Sequence, residues 1–182
     1  MKKLFLFLFL LAFASFLLVG CTPEPPCTGA GIVNGDFEIG DFSGWTVTVS
    51  DQFPKVQNTV VYSGSSAAYM GDGAAGLLGP GDDTASIQQI VYIPACATNP
   101  LLKLNYQVIG TDSGGAGYDW MKVYINGTEI LYIWSDTSGW QQLQYNLSAY
   151  INTSIVLKIS AWTIDSVSAV DYYVDNVSIT WD

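Results

Sequence analysis

The chain reads as an all-β protein, an antiparallel sandwich or barrel behind a secretory leader. Three observations predict this. From residue 30 onward apolar and polar residues alternate in short runs rich in Val, Ile, Thr, Tyr and Trp. Turn signals separate the runs: Asn34-Gly35, Ser63-Gly64, Gly79-Pro80-Gly81, Ser113-Gly114-Gly115, Asn126-Gly127 and Ser138-Gly139. Almost nothing in this region repeats at helical spacing.

The leader comes first. Lys2 and Lys3 precede an almost unbroken apolar run from Leu4 to Val19. A basic start, a short apolar core and small residues at its end describe a secretory signal, and the run is at the short end for a bilayer span. Leu18-Val19-Gly20-Cys21 resembles a bacterial lipobox. That resemblance implies a signal peptide over 1–20, cleavage before Cys21 and a diacylglycerol on its thiol; an ordinary signal peptide is the alternative. Residues 21–29 then form a short Pro-rich tether, and 30–182 the domain. The expected address is extracytoplasmic and lipid-anchored, with the outer membrane or cell surface favoured because Thr22 carries no acidic retention signal.

Composition excludes several chemistries. The chain has no His and no Arg, and 16 acids face 6 lysines. Without Lys2 and Lys3 the balance is 4 − 16 = −12. Ser-His-Asp and Cys-His catalysis, His-ligated zinc and Arg clamps on phosphate are all ruled out. Nucleic acid is not an expected partner, since little is present to neutralise its backbone. Abundant carboxylates suit calcium instead. If Cys21 is lipidated, Cys27 and Cys96 remain as a pair, read as a disulfide in an oxidising compartment, with two free buried thiols as the alternative.

Taken in order, the expected strands are Ile32–Phe37, Trp45–Val49, Val56–Tyr62, Ala67–Met70, Ser86–Ile93, Leu101–Ile109, Asp119–Ile125, Glu129–Trp134, Gln141–Leu147, Ile155–Trp162 and Tyr172–Thr180. Asn126-Gly127 between two such runs predicts a tight hairpin. Alternation assigns the faces. Leu102, Leu104, Tyr106 and Val108 share one side, with Lys103, Asn105 and Gln107 opposite. Met121, Val123 and Ile125 point inward, so Trp120, Lys122 and Tyr124 point outward. Leu143, Tyr145 and Leu147 oppose Gln142, Gln144 and Asn146. Ile155, Leu157, Ile159 and Ala161 oppose Val156, Lys158, Ser160 and Trp162.

Two constellations follow. The outward set combines Trp120, Tyr124 and Trp162 with the amides of Asn105, Gln107, Gln142 and Gln144. Flat aromatics and amides are what a protein uses to hold a sugar, although tryptophans at strand ends also fill sheet corners. Alternation alone leaves open whether this set lies on one sheet or two. The second constellation is acidic: Asp36, Glu38 and Asp175, with Asp119 and Asp171 as weaker members. Counting in twos from Tyr173 through Ile179 turns Asp175 toward the core, where a carboxylate requires a cation or several donors. Asp72, Asp82, Asp83 and Asp112 read first as solvated loop residues.

Asn34-Gly35-Asp36-Phe37-Glu38, then Phe42-Ser43-Gly44-Trp45, resembles the opening of galactose-binding-like jelly rolls, among them carbohydrate-binding modules of families 4, 9 and 22. Tyr62-Ser63-Gly64-Ser65-Ser66, Ser86-Ile87-Gln88-Gln89, Ile125-Asn126-Gly127, Gly139-Trp140-Gln141 and Tyr173-Val174-Asp175-Asn176-Val177 keep step with it. The resemblance covers residues 30–182 and implies a two-sheet antiparallel jelly-roll β-sandwich with a structural calcium. Its ligands would be Glu38, Asp175 and backbone carbonyls at Ser63 to Ser65. The expected function is non-catalytic binding of a glycan or polysaccharide by a surface lipoprotein, with adhesion or contact with neighbouring surface proteins as the alternative. A glycoside hydrolase needs a carboxylate pair flanking the sugar, and no such pair stands on one strand face beside the aromatics.

Overall fold

In the computed structural model, residues 27–29, 31–48, 53–71, 84–111, 119–163 and 170–182 are described. The leader, Cys21, the tether proper, Asp72, Asp82, Asp83 and Asp112 lie outside them. Among the described residues no helix is long and apolar enough to cross a membrane. Among the described residues ten strands form two antiparallel five-stranded sheets: β1 (Thr46–Thr48), β2 (Lys55–Gln57), β3 (Ala67–Gly71), β4 (Thr84–Ile93), β5 (Leu101–Ile109), β6 (Trp120–Ile125), β7 (Thr128–Ile133), β8 (Gln141–Asn146), β9 (Thr153–Trp162) and β10 (Asp171–Thr180). One sheet runs β1-β4-β9-β6-β7 and is called the front sheet here; the other, β2-β3-β10-β5-β8, is the back sheet.

The core lies between the sheets, where the inward rows predicted by alternation meet. Ile87, Val91, Met121, Val123, Ile155, Leu157 and Ile159 of the front sheet pack against Leu102, Leu104, Val108, Tyr172 and Val174 of the back sheet. The Asn-Gly hairpin also forms: Asn126 and Gly127 have φ of 50° and 80°, the left-handed pair a two-residue turn between twisted strands requires.

Besides the strand expected over Val56–Tyr62, which ends at Gln57, two expectations fail for local reasons. The segment expected as strand Ile32–Phe37 is irregular. Asn34 and Phe37 adopt φ of 49° and 58°, and no ladder continues through such residues. The distortion drops Phe37 into the core, stacked on Trp45 with centroids 5.9 Å apart. Gln89 then ties the segment down: its Oε1 accepts from Val33 N at 2.8 Å, while its Nε2 donates to Val33 O and Gly44 O, both at 3.0 Å. The second failure is the facing of Asp175. Tyr172 and Val174 point to the core, but the β10–β5 register shifts between Asp175 and Ser178, where Asn176 has φ of 50°. The bulge resets the alternation. Val177 and Ile179 do face the core, whereas Tyr173 and Asp175, opposite Gln107 and Asn105, lie on the outer face.

Cys27 and Cys96 form a disulfide with Cα atoms 5.5 Å apart. Trp181 packs beside it and donates from Nε1 to Cys27 O at 3.2 Å. Both sheets, this disulfide and the described core lie within residues 27–182, so segment 22–182 contains a complete folding unit. The bridge spans 69 residues of sequence; replacing both cysteines by serine should lower the unfolding free energy by about 4 kcal/mol, measured by denaturant titration against the oxidised parent.

Candidate functional site

The β10 bulge places a carboxylate where a turn can cap it. Asp175 is fully buried. Its Oδ2 accepts from Tyr62 N at 3.0 Å and Ser63 N at 3.1 Å, and its Oδ1 from Asn176 N at 2.6 Å. Glu38 caps the other half of the same turn, its Oε1 accepting from Ser65 N at 2.8 Å and Ser66 N at 2.9 Å. Asn176 Nδ2 donates to Ser63 Oγ at 2.8 Å. Gly64 crosses above Glu38 with φ of 71°, so close that a Cβ there would run into the carboxylate. Burial pushes the Asp175 carboxyl above the usual carboxylate range, the three backbone N–H groups pull it back, and the negative charge of Glu38 adds to the rise.

The expected metal residues Glu38, Asp175, Ser63 and Ser65 are thus brought together on one turn. Calcium takes six to eight oxygens. Two mutually repelling carboxylates, with Glu38 Oε2 free of hydrogen bonds among the described residues, fit the anionic half of such a site. Turn carbonyls and water would have to supply the rest. The backbone N–H groups already offset much of the charge, and among the described residues no three His, Cys, Asp or Glu side chains gather as a metal cluster.

Beside this turn the outer face of the back sheet opens into a groove of about 460 Å³. Its floor is Lys103 and Asn105 of β5 with Gln142 of β8. Ile32, Asn34, Gly35 and Asp36 line it beside the bulge residues Asn176 to Ser178, to which they are tied by Val177 N donating to Gly35 O at 2.8 Å, and Tyr62 completes the lining. The register explains the convergence: Asn105 is flanked by Asp175 and Gln142, and Lys103 by Ser178 and Gln144. Several lining side chains are committed to structure. Asn34 donates from Nδ2 to Asp41 O and Ser43 O, and Asn176 braces Ser63. Others are not. The Asn105 side chain, 5% exposed, makes no hydrogen bond among the described residues, and Lys103 makes no ion pair there. Gln142 uses only its Oε1, which accepts from Gln144 Nε2 at 2.6 Å. Tyr62 is 47% exposed, with its ring braced edge-on by Trp140 at 5.7 Å.

The expected sugar-contacting residues fall on two opposite faces. Asn105, Gln107, Gln142 and Gln144 belong to β5 and β8 of the back sheet, and Trp120, Tyr124 and Trp162 to β6 and β9 of the front sheet. Strand membership, which alternation does not encode, divides them. On the front sheet Trp120 and Trp162 meet edge to face at 5.7 Å. Lys122 lies over Trp120 at 4.7 Å and Tyr132 at 4.5 Å, and pairs with Glu129 at 3.0 Å. These contacts spend one face of Trp120 on packing. Of the back-sheet residues, Asn105 and Gln142 line the groove, whereas Gln107 stands beside Tyr173 and Gln144 on the outer edge. Sequence reasoning missed Lys103, Asp36 and Tyr62 as groove residues. Lys103 shares its outward row with Asn105, which was the available signal; Tyr62 arrives through the turn and had none.

Comparison with solved structures identifies the architecture. The chain is similar to the carbohydrate-binding module TmCBM61, solved in complex with β-1,4-galactotriose (13% identity, TM-score 0.61, covering 85% of this chain and 100% of that one). It is also similar to the K1 cleaved adhesin domain of Lys-gingipain from Porphyromonas gingivalis W83 (14% identity, TM-score 0.57, 86% and 99%). The K3 adhesin domain of the same protein matches at TM-score 0.51 with 13% identity, covering 83% and 99%. No family model and no curated protein matches. At these identities the likeness establishes the fold alone: a two-sheet antiparallel jelly-roll β-sandwich.

Two substitutions test the turn. Asp175→Ala should cost about 3 kcal/mol, because three partly buried N–H groups lose their charged acceptor. Gly64→Ala should cost about 1–3 kcal/mol, since it forces a Cβ into a left-handed conformation against Glu38. Denaturant unfolding of each variant measures the loss; values within 0.5 kcal/mol of the parent would mean the cap contributes little.

Proposed function

We propose that the chain is a non-catalytic carbohydrate-binding protein that holds a glycan in the groove beside the Tyr62–Ser66 turn. One observation carries this reading: the groove gathers amide, ammonium and carboxylate groups that keep hydrogen-bonding capacity to spare next to an exposed, braced tyrosine ring. Asn105 and Gln142 can each donate to and accept from hydroxyls, Lys103 and Asp36 supply one donor and one acceptor of stronger kind, and Tyr62 offers a flat apolar face to a pyranose. An open groove of this size on a rigid sheet suits one or two sugar rings. The galactotriose complex of the structurally similar TmCBM61 supports the same class of ligand.

Calcium belongs to the same proposal as a structural ion at Glu38 and Asp175, completed by turn carbonyls from Ser63 to Ser65. Its contribution would be to neutralise two repelling carboxylates and hold the turn that carries Tyr62. The lipobox-like Leu18-Val19-Gly20-Cys21 supports placement outside the cytoplasm, lipid-anchored through Cys21 at a membrane or cell surface. A second reading, adhesion through protein contact, is favoured by the similarity to the cleaved adhesin domain.

Affinity electrophoresis of segment 22–182 on neutral and acidic polysaccharides tests the site. Retention should fall at least tenfold in Asn105→Ala and Tyr62→Ala and persist in Trp120→Ala, which lies on the other face. Loss in Trp120→Ala alone would move the site to the front sheet, and no retention on any glycan would favour adhesion. Millimolar calcium should raise the melting temperature of the parent by several degrees relative to chelator and leave Glu38→Gln unmoved; equal melting in both conditions would exclude the ion.

A further inference from the structure

An antiparallel sandwich has four strand edges, and each open edge invites pairing unless it is blunted. Three edges here are blunted. β1 is three residues long among the described residues. β2 is three residues long and begins with the charged Lys55. β7 carries Glu129 and faces a bulge between Val123 and Tyr124 of β6. β8 has no such device. It is six residues of Gln-Gln-Leu-Gln-Tyr-Asn, with no charge, no proline and an unshifted register against β5.

The direction of its backbone groups can be read from that register. Leu147 N donates to Pro100 O at 2.8 Å, so 147 and 100 are a hydrogen-bonded pair. Such pairs alternate along an antiparallel ladder. Tyr145, Leu143 and Gln141 therefore exchange bonds with β5, and the N–H and C=O groups of Gln142, Gln144 and Asn146 point to the free edge. Among the described residues no backbone bond from β8 reaches any element on that side.

We propose that this edge joins a second copy of the same chain, β8 against β8 antiparallel and centred on Gln144. In that register Gln142 faces Asn146 of the partner and Gln144 faces its own counterpart, so all three outward residues pair. A second copy fits for chemical reasons. Amides are donors and acceptors at once and so are self-complementary. The strand is also uncharged in a chain whose formal charge is −10, which makes it one surface that two copies can bring together without facing like charges. On the inner face the half-buried Leu143 would meet the partner's Tyr145, covering apolar surface left open at the sandwich rim. The product is a two-fold, isologous, ten-stranded sheet with both grooves on one side. The two β5 strands would stand about 14 Å apart, three strand spacings. The inference does not depend on what the groove binds.

Sedimentation equilibrium of segment 22–182 tests it. An edge-only interface is small, so the parent should dimerise at roughly 10–500 μM. Gln144→Lys puts two ammonium groups opposite each other, and Gln144→Pro removes an outward N–H that the monomer does not use; both should stay monomeric across that range. Melting temperatures close to the parent's would show that each variant folds, and Gln144→Lys serves if the proline variant does not. A parent that is monomeric throughout, or a dimer that persists in folded Gln144→Lys, would overturn the proposal.

Discussion

The arrangement of the back sheet depends on how one buried carboxylate is satisfied. Asp175 sits on the central strand of that sheet, fully enclosed, and its charge is met by N–H groups from Tyr62, Ser63 and Asn176. A carboxylate placed there without donors would cost several kcal/mol, so the turn from 62 to 66 must close over it. Closing the turn brings Tyr62 to the groove wall. The bulge that turns Asp175 outward places Asn176, Val177 and Ser178 on that wall as well. A single requirement, donors for one buried anion, therefore fixes both the position of the exposed aromatic and the shape of the polar floor beside it.

The two outer faces are organised by different physics. On the front sheet Lys122 lies between aromatic rings and an opposing carboxylate, and the tryptophans contact one another. The ammonium and the rings find partners within the protein, while the buried Trp162 Nε1 has no hydrogen-bond partner among the described residues. On the back sheet the stacked Tyr69 and Tyr173, 4.9 Å apart under Lys55 and Phe53, are nearly covered. The polar side chains of the adjoining groove keep hydrogen-bonding capacity in reserve. Exposed aromatic content points to the front sheet, whereas the polar side chains lining the groove point to the back sheet.

Much of the fold was legible in the sequence. The inward rows of β5, β6, β8 and β9 follow period-two alternation, and the Asn-Gly hairpin follows from the φ its two residues tolerate. The Cys27–Cys96 pair followed from parity and the compartment the leader led us to expect. What escaped was non-local or strained. Asn34 and Phe37 leave the β region because Phe37 fills the core and Gly35 abuts Val177, whose N donates to Gly35 O at 2.8 Å. The facing of Asp175 was misread because a bulge shifts the count by one, and an asparagine at left-handed φ is a weak signal for one. The separation of the tryptophans from the amides lay beyond alternation altogether, since the pattern along a strand does not state which sheet the strand joins.

The disulfide also sets how the molecule would carry a pull. Tension arriving from the N-terminal side reaches Cys27 and crosses the covalent bridge to Cys96, bypassing the intervening segment that contains β1 to β4. Five residues later it enters β5, the strand that bears Lys103 and Asn105. The short connection is braced by Thr98 and Asp182, whose backbone groups bond each other in both directions at 3.0 and 3.2 Å. A tug between the chain's N-terminal side and an object held in the groove would therefore run along one strand in shear, and half of the sandwich would feel little of it.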